Sequence, residues 1–300
     1  MPARTRKLAL TEGVCAGILF GTAAIFIRNL QALDTFAIAF WRLVVACLAL
    51  GAIMLLLRKP FSFGLVKKNA RDFVVLGFFL GLHFIFFVSA VKDTTILNAT
   101  VLVNTTPIFS MLVSSFVYKL KPSKVAVLGL AVSFAGIWII ALAETANAQQ
   151  STVGYSPSLK GDFEAVLAAM VEAVYLNYGR RVRKEMNLLS IMLPTYFLTA
   201  LAVAAIGVPA SRCILTLPTD MPAALALLGL GILPTAVAHS LYFSSLSNLK
   251  SFETATMALL EPIGATILGI SLFQEVPAPL FAVGAILILC GVIFVIKNKE

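Results

Sequence analysis

The sequence predicts an all-α membrane protein: ten transmembrane helices in two inverted five-helix repeats, with both termini cytoplasmic. Three observations predict it. The chain is 60% hydrophobic and only 12% charged, with a mean hydropathy of +0.96, whereas soluble chains carry about 25% charged residues. It matches itself without a gap at an interval of 155 residues, which sets Pro107 on Pro262, Pro122 on Pro277, Gly129 on Gly284 and Gly136 on Gly291. Its lysines and arginines gather in alternate loops.

A bilayer-spanning helix needs about 20 apolar residues, and the 300-residue chain holds ten such runs with short connections. The first, 9–29, follows a basic start in the manner of a secretory leader, but it is longer than a leader core and recurs nine times. Gly13, Gly17 and Gly21 recur every four residues along it, which permits close helix contact. The second, 36–57, carries Trp41 and Arg42 near its outer end, where an arginine reads as snorkelling to the interface. The third, 73–91, holds six phenylalanines and His83. The fourth, 96–117, has a polar side of Asn98, Thr100, Asn104 and Thr105 leading into Pro107. The fifth, 122–143, carries Gly129 and Gly136 on one face. A polar linker, 144–160, with Gly154 and Pro157, separates the repeats.

The second repeat runs in the same order. Its first span, 161–179, contains Glu172, Tyr175 and Asn177, and matches the first span of the chain at an interval of 152, Glu12 on Glu164 and Arg28 on Arg180. Spans 188–207 and 221–246 follow, the latter with His239, Tyr242 and Phe243 on one stripe. The ninth, 251–273, contains Glu261 directly before Pro262, and the tenth, 278–296, carries Gly284 and Gly291. Pro107 and Pro262 interrupt long apolar helices, each removing a backbone hydrogen bond, so these helices are expected to break there and to wall a shared central cavity.

Ten spans put eighteen of the 23 lysines and arginines on one side and four on the other, with only Arg42 remaining well inside a span. Positive charge favours the cytoplasmic side. Because each repeat has five spans, an odd number, the second enters the membrane upside down. The +9 net charge is therefore a matter of topology, and no nucleic-acid partner is expected. The four cysteines are scattered without a CxxC, so neither a metal site nor a disulfide framework is expected. There is no P-loop and no HExxH or GxSxG, which leaves ATP-driven transport and hydrolysis without a motif and no cofactor expected.

The order of these features resembles the drug/metabolite transporter superfamily, and specifically its ten-span EamA-type branch. The stretches Pro107 to Ile140 and Pro262 to Ile296 resemble the end of an EamA module: a mid-helix proline, a short loop and a glycine-rich last helix. Gly161–Asp162 through Arg180–Arg181 resembles the start of the second module. Residues 1–143 and 161–300 are thus expected to be two EamA-like units around the linker. The chain departs from the family pattern where Lys119–Leu120–Lys121 stands in place of the acidic residue that Glu275 supplies in the second copy, and where Phe20 and Glu172 replace a tryptophan.

A charged or strongly polar group inside a span faces a cavity or a partner, since lipid exposure is costly. This selects the candidate substrate-binding residues Phe79, His83, Asn98, Thr100, Asn104, Glu172, Tyr175, His239, Tyr242 and Glu261, with Pro107 and Pro262 as helix breaks. Their bland counterparts are interhelical hydrogen bonds and lipid-facing rings; for His239, toward the cytoplasmic end of its span, a solvated role competes equally. The resemblance implies a secondary transporter that exports small organic metabolites from a bacterial inner membrane by alternating access, with amino acids as the leading class. The aromatic faces of spans three and eight point to aromatic or other bulky neutral amino acids. Efflux of organic cations is the nearest rival, and a non-transporting membrane enzyme or scaffold the rival from another class. Partners are then a small-molecule substrate and the lipid bilayer; Glu172, Glu261 and the two histidines could carry a proton. The oligomeric state is not specified.

Overall fold

A computed structural model describes residues 5–58, 63–148, 158–211, 213–273 and 279–297. The linker residues Gly154 and Pro157, together with Glu275, Pro277 and the charges Arg4, Lys59, Arg212 and Lys299, lie outside the described residues. Those described form helices joined by short turns, with no strand among them.

Local chemistry sets the helix ends. Helix α1, Arg6–Arg28, begins where Thr5 Oγ1 accepts from the Leu8 amide at 3.2 Å, and it is interrupted at Gly21–Thr22. In α2, Thr35–Leu56, Asp34 caps the Phe36 amide at 2.8 Å. A short helix, Phe63–Lys68, leads into α3, Ala70–Asp93. Helix α4 is two pieces, Ile96–Val103 and Thr106–Phe116, broken at Asn104–Thr105, with Pro107 in the first turn of the second piece. There the missing proline amide costs nothing, because a first-turn amide has no intrahelical partner. Helix α5, Lys124–Ala148, runs past its expected end at 143.

In the second half, α6 spans Leu159–Glu185 and α7 Leu188–Ala210. Helix α8, Met221–Ser245, loosens into π-type turns over Gly231–His239 around Pro234. Helix α9, 251–273, is Ser251–Met257, a tight 3-10 turn Ala258–Leu260, and Glu261–Phe273, so it too breaks immediately before its proline. Helix α10, Pro279–Lys297, closes the chain.

Eight of these helices, α1 to α5, α7, α8 and α10, are long and apolar enough to cross a membrane. Two of the ten expected spans do not meet that standard. Helix α6 carries Asp162, Glu164 and Glu172 and ends in arginines. Segment 251–273 is divided by its break, and every residue from Ser251 to Glu261 is buried by protein. Both pack inside the bundle, α6 against α3 and α4, and α9 against α1 and α4.

Two glycine contacts fix the packing. Helices α5 and α10 lie along each other: a Cβ on Gly129 would come 2.7 Å from the Gly291 carbonyl oxygen, and one on Gly284 would come 2.6 Å from that of Gly136. Because 129 meets 291 while 136 meets 284, the two helices run antiparallel and the contact is reciprocal. Helix α1 presses its Gly13, Gly17 and Gly21 onto α9. Arg6 ties the ends together, donating to Glu253 at 2.7 Å and to the Ile296 carbonyl at 3.0 Å, so the first and last helices finish at the same end of the bundle.

The opposite end is clasped by Thr94, which is fully buried. Its hydroxyl donates to Asp162 at 2.8 Å and accepts from the Ser158 amide at 3.1 Å, joining the α3–α4 turn to the start of α6. Thr94→Val keeps the shape but removes both bonds, each worth about 1 kcal/mol. The melting temperature in detergent is expected to fall by several degrees; an unchanged melt would show that the clasp carries no stability.

Candidate functional site

The two helix breaks meet at mid-bundle. Phe20 and Ala23 of α1, Arg42 of α2, His83 and Phe87 of α3, Val103 and Asn104 of α4, Glu172 of α6, Pro234 and His239 of α8, and Ala258 and Glu261 of α9 wall one cavity. These residues enclose a small unfilled space, part of it open to the surroundings. The charged and polar residues of the wall are almost wholly shielded, from 1% exposure at Arg42 and Asn104 to 5% at Glu172, Glu261 and His83.

Each carboxylate is held by a neutral donor from the broken α4. The Asn104 amide sits at the break, donating to the Thr100 carbonyl at 2.8 Å and to Glu261 Oε2 at 3.1 Å. Two residues on, Thr106 donates to Glu172 Oε2 at 3.0 Å. One interrupted helix thus reaches both acids, because breaking it at Asn104–Thr105 turns successive side chains toward α9 and α6. The His83 ring lies parallel to Phe87, 6.0 Å between centroids. Its Nδ1 is 3.1 Å from the Ala168 carbonyl, which can only accept, so Nδ1 is the donor of this bond. The same Nδ1 lies 3.8 Å from Glu172 Oε2. His239 packs edge-on to Phe84 at 4.9 Å and to His83 at 5.8 Å, with Phe20 at 4.8 Å, and its own Nδ1 has no partner.

Of the expected binding residues, His83, Asn104, Glu172, His239 and Glu261 come together here, and both proline breaks adjoin them. The other five stand elsewhere. Asn98 donates to both oxygens of Asp162, at 3.1 and 3.3 Å, near the Thr94 clasp. Thr100 bonds back to the Ile96 and Leu97 carbonyls of its own helix. Phe79 sits edge-on to Phe78 and packs against the core away from the cavity wall. Tyr175 lies against Phe243, and Tyr242 lies behind the wall against Phe20 and His239; both are 1% exposed and neither hydroxyl has a partner.

The reading of Arg42 as an interfacial, snorkelling side chain is corrected. It is buried, its guanidinium stacks 4.1 Å over the Phe84 ring, and its Nε donates to Thr235 at 2.9 Å. The loosened turns of α8 make this possible: the Thr235 hydroxyl donates to the Leu230 carbonyl at 2.6 Å, five residues back, leaving its lone pair for Arg42. Phe20, noted in the sequence only as a departure from a family pattern, is also in the wall. The one available signal for Arg42 was its depth, since Arg28 and Lys124 stand within two residues of the ends of their spans.

Chemically, the wall offers one guanidinium, two carboxylates, an amide and two imidazoles, set among aromatic rings. That set can hold a small solute carrying both charges and an apolar or aromatic body. Among the described residues no cluster of three or more potential metal ligands occurs.

Comparison with known proteins bears on the family and the fold. A family model described as the EamA-like transporter family matches residues 8–142 and 159–297. An uncharacterised transporter of Archaeoglobus fulgidus is 28% identical over 297 residues, covering 95% of this chain and 94% of its own. An uncharacterised transporter of Bacillus subtilis is 22% identical over 99% of this chain and 92% of its own. Solute carrier family 35 member G1 of Mus musculus is 25% identical over 90% of this chain and 73% of its own. A solved crystal structure superposes with a TM-score of 0.78 over 97% of this chain and 96% of that one; at 19% identity the likeness is one of fold.

Proposed function

The chain belongs to the EamA-like transporter family, within the drug/metabolite transporter superfamily, and from that premise we propose that it is a secondary transporter exporting small organic metabolites by alternating access, with aromatic and other bulky neutral amino acids as its substrates. The observation that carries this is the shared cavity at the two helix breaks, with acids held by Asn104 and Thr106 and ringed by Phe20 and Phe87. Glu172 and Glu261 would receive the ammonium group, and His83 with its stacked Phe87 would receive the apolar body.

The proposal includes the topology: ten spans, two inverted repeats at 1–143 and 161–300, both termini in the cytoplasm, and a bacterial inner membrane as the location. The reciprocal antiparallel contact of α5 with α10 supports inversion, because helices equivalent in the two repeats can meet that way only about a two-fold axis lying between them. The excess of basic residues at the end shared by Arg6 and Ile296 supports a cytoplasmic assignment for that end.

Purified protein in liposomes loaded with tryptophan, phenylalanine or leucine should release them faster than protein-free vesicles, and His83→Ala should slow the aromatic pair more than leucine. Equal rates with and without protein for all three would sink the substrate assignment. The two carboxylates also favour organic-cation efflux, so a planar aromatic cation belongs in the same experiment; its exclusive transport would decide for that reading. An imposed pH gradient tests whether a proton moves in exchange, through groups such as Glu172, Glu261 and the imidazoles.

A further inference from the structure

We infer that Arg42 is the anchor for a carboxylate on the transported solute, and so the residue that separates amino acids and other organic acids from amines of the same body. The inference rests on the transporter reading above and adds to it the residue and the group it grips.

The argument begins with charge. A guanidinium is always protonated, and one held at 1% exposure has lost its water. A cation inside a membrane helix is costly, so it normally pairs with an acid or a backbone carbonyl. Among the described residues no ion pair joins Arg42 to an acid. The two carboxylates that share its cavity are held by other groups, Glu261 by Asn104 and Glu172 by Thr106, with His83 beside it. What holds Arg42 is neutral, the Phe84 face and the Thr235 hydroxyl, and Nη1 is left without a partner.

Those two neutral contacts also orient it. The ring at 4.1 Å fixes the plane of the guanidinium, and the 2.9 Å bond fixes Nε, leaving the terminal nitrogens as the uncommitted edge. A planar fork held in this way matches a carboxylate in two parallel hydrogen bonds. Thr235 is itself set by the π-type turn around Pro234, and Pro234 is in the cavity wall. The irregular segment of α8 thus serves to present Arg42 to the ligand. With the anion on Arg42, the acids on α6 and α9 are free to meet an ammonium, and a zwitterion is neutralised at both ends. A permanent cation without a carboxylate would leave the arginine unpaired and repel it.

The test compares ligands that differ only in this group. In proteoliposomes, phenylalanine should be carried at least tenfold better than phenylalanine amide or phenethylamine. Arg42→Gln should raise the KM for phenylalanine at least tenfold and erase that preference, while Arg42→Lys, which keeps the charge but not the fork, should fall between. In detergent, benzoate should raise the melting temperature of the wild-type protein and benzamide should not, with the benzoate effect absent in Arg42→Gln. If phenylalanine is carried but Arg42→Gln leaves both KM and preference unchanged, the inference is overturned and the substrate proposal stands. If no amino acid is carried but benzoate stabilises the protein through Arg42, the substrate proposal falls and the anchor stands. Should Arg42→Gln fail to fold, the wild-type contrast between benzoate and benzamide decides, and equal effects overturn the inference.

Discussion

Gly264→Ala is expected to lower the melting temperature sharply, although it adds one methyl group. A Cβ at this position would fall within contact distance of the Ile18 carbonyl oxygen and lie 2.8 Å from that carbonyl's carbon. Gly17, on the facing helix, meets Met257 in the same way, with a Cβ 2.9 Å from the carbonyl carbon. The obstacles are backbone atoms on two buried helices, which cannot rotate aside as a side chain can. The strain is on the order of 3 kcal/mol or more, at the upper end for overpacking, and a melting temperature lower by about 5–10 °C follows from the usual size scaling. Size-exclusion profiles and thermal melts in detergent measure it. Gly51→Ala is the control: a Cβ there meets nothing within 4 Å, and alanine in a helix gains roughly 0.5–1 kcal/mol over glycine. If Gly264→Ala melts like Gly51→Ala, α1 and α9 are not in direct backbone contact.

The second large effect is on flux. Glu261→Gln is nearly isosteric and can still accept from Asn104, so the fold should survive with a melt close to that of the wild type. What it loses is the ionisable carboxyl group at the second helix break, the group proposed to meet the ammonium. A hydrogen bond to a charged group is worth about 1.5–3 kcal/mol, so flux of the amino acids proposed as substrates should fall by roughly 10- to 100-fold. Substrate-dependent flux from loaded vesicles measures this, with Glu172→Gln in parallel. Wild-type flux in both variants would mean that the ammonium is not received by these acids.

Much of this architecture could be read from the chain. Apolar runs mark the helices because lipid leaves a backbone nowhere else to bond. Pro107 and Pro262 mark the breaks because proline cannot donate and clashes with the turn before it. Gly129, Gly136, Gly284 and Gly291 mark close packing because only glycine admits a neighbouring backbone, and their seven-residue spacing puts each pair on one face without revealing that the two faces meet. His83, Glu172 and Glu261 were legible as costly groups at mid-helix. Asn98 was chosen on the same ground and proved to be tied to Asp162 near a helix end, where a polar side chain finds partners outside any cavity.

The sequence by itself therefore determined the protein's solvent, the positions of its helices along the chain, the repeat and the two interruptions, all of which depend on residue order alone. Tertiary structure alone decided which acid meets Asn104 and which meets Thr106, that Phe20 and Phe87 close the wall, and that Arg42 turns inward to Phe84 and Thr235. The reason is geometric. Hydropathy and proline fix where a residue sits along a helix axis, but the direction in which its side chain points acquires meaning only from the neighbouring helices, and those come from residues far along the chain, 193 positions away for Arg42 and Thr235.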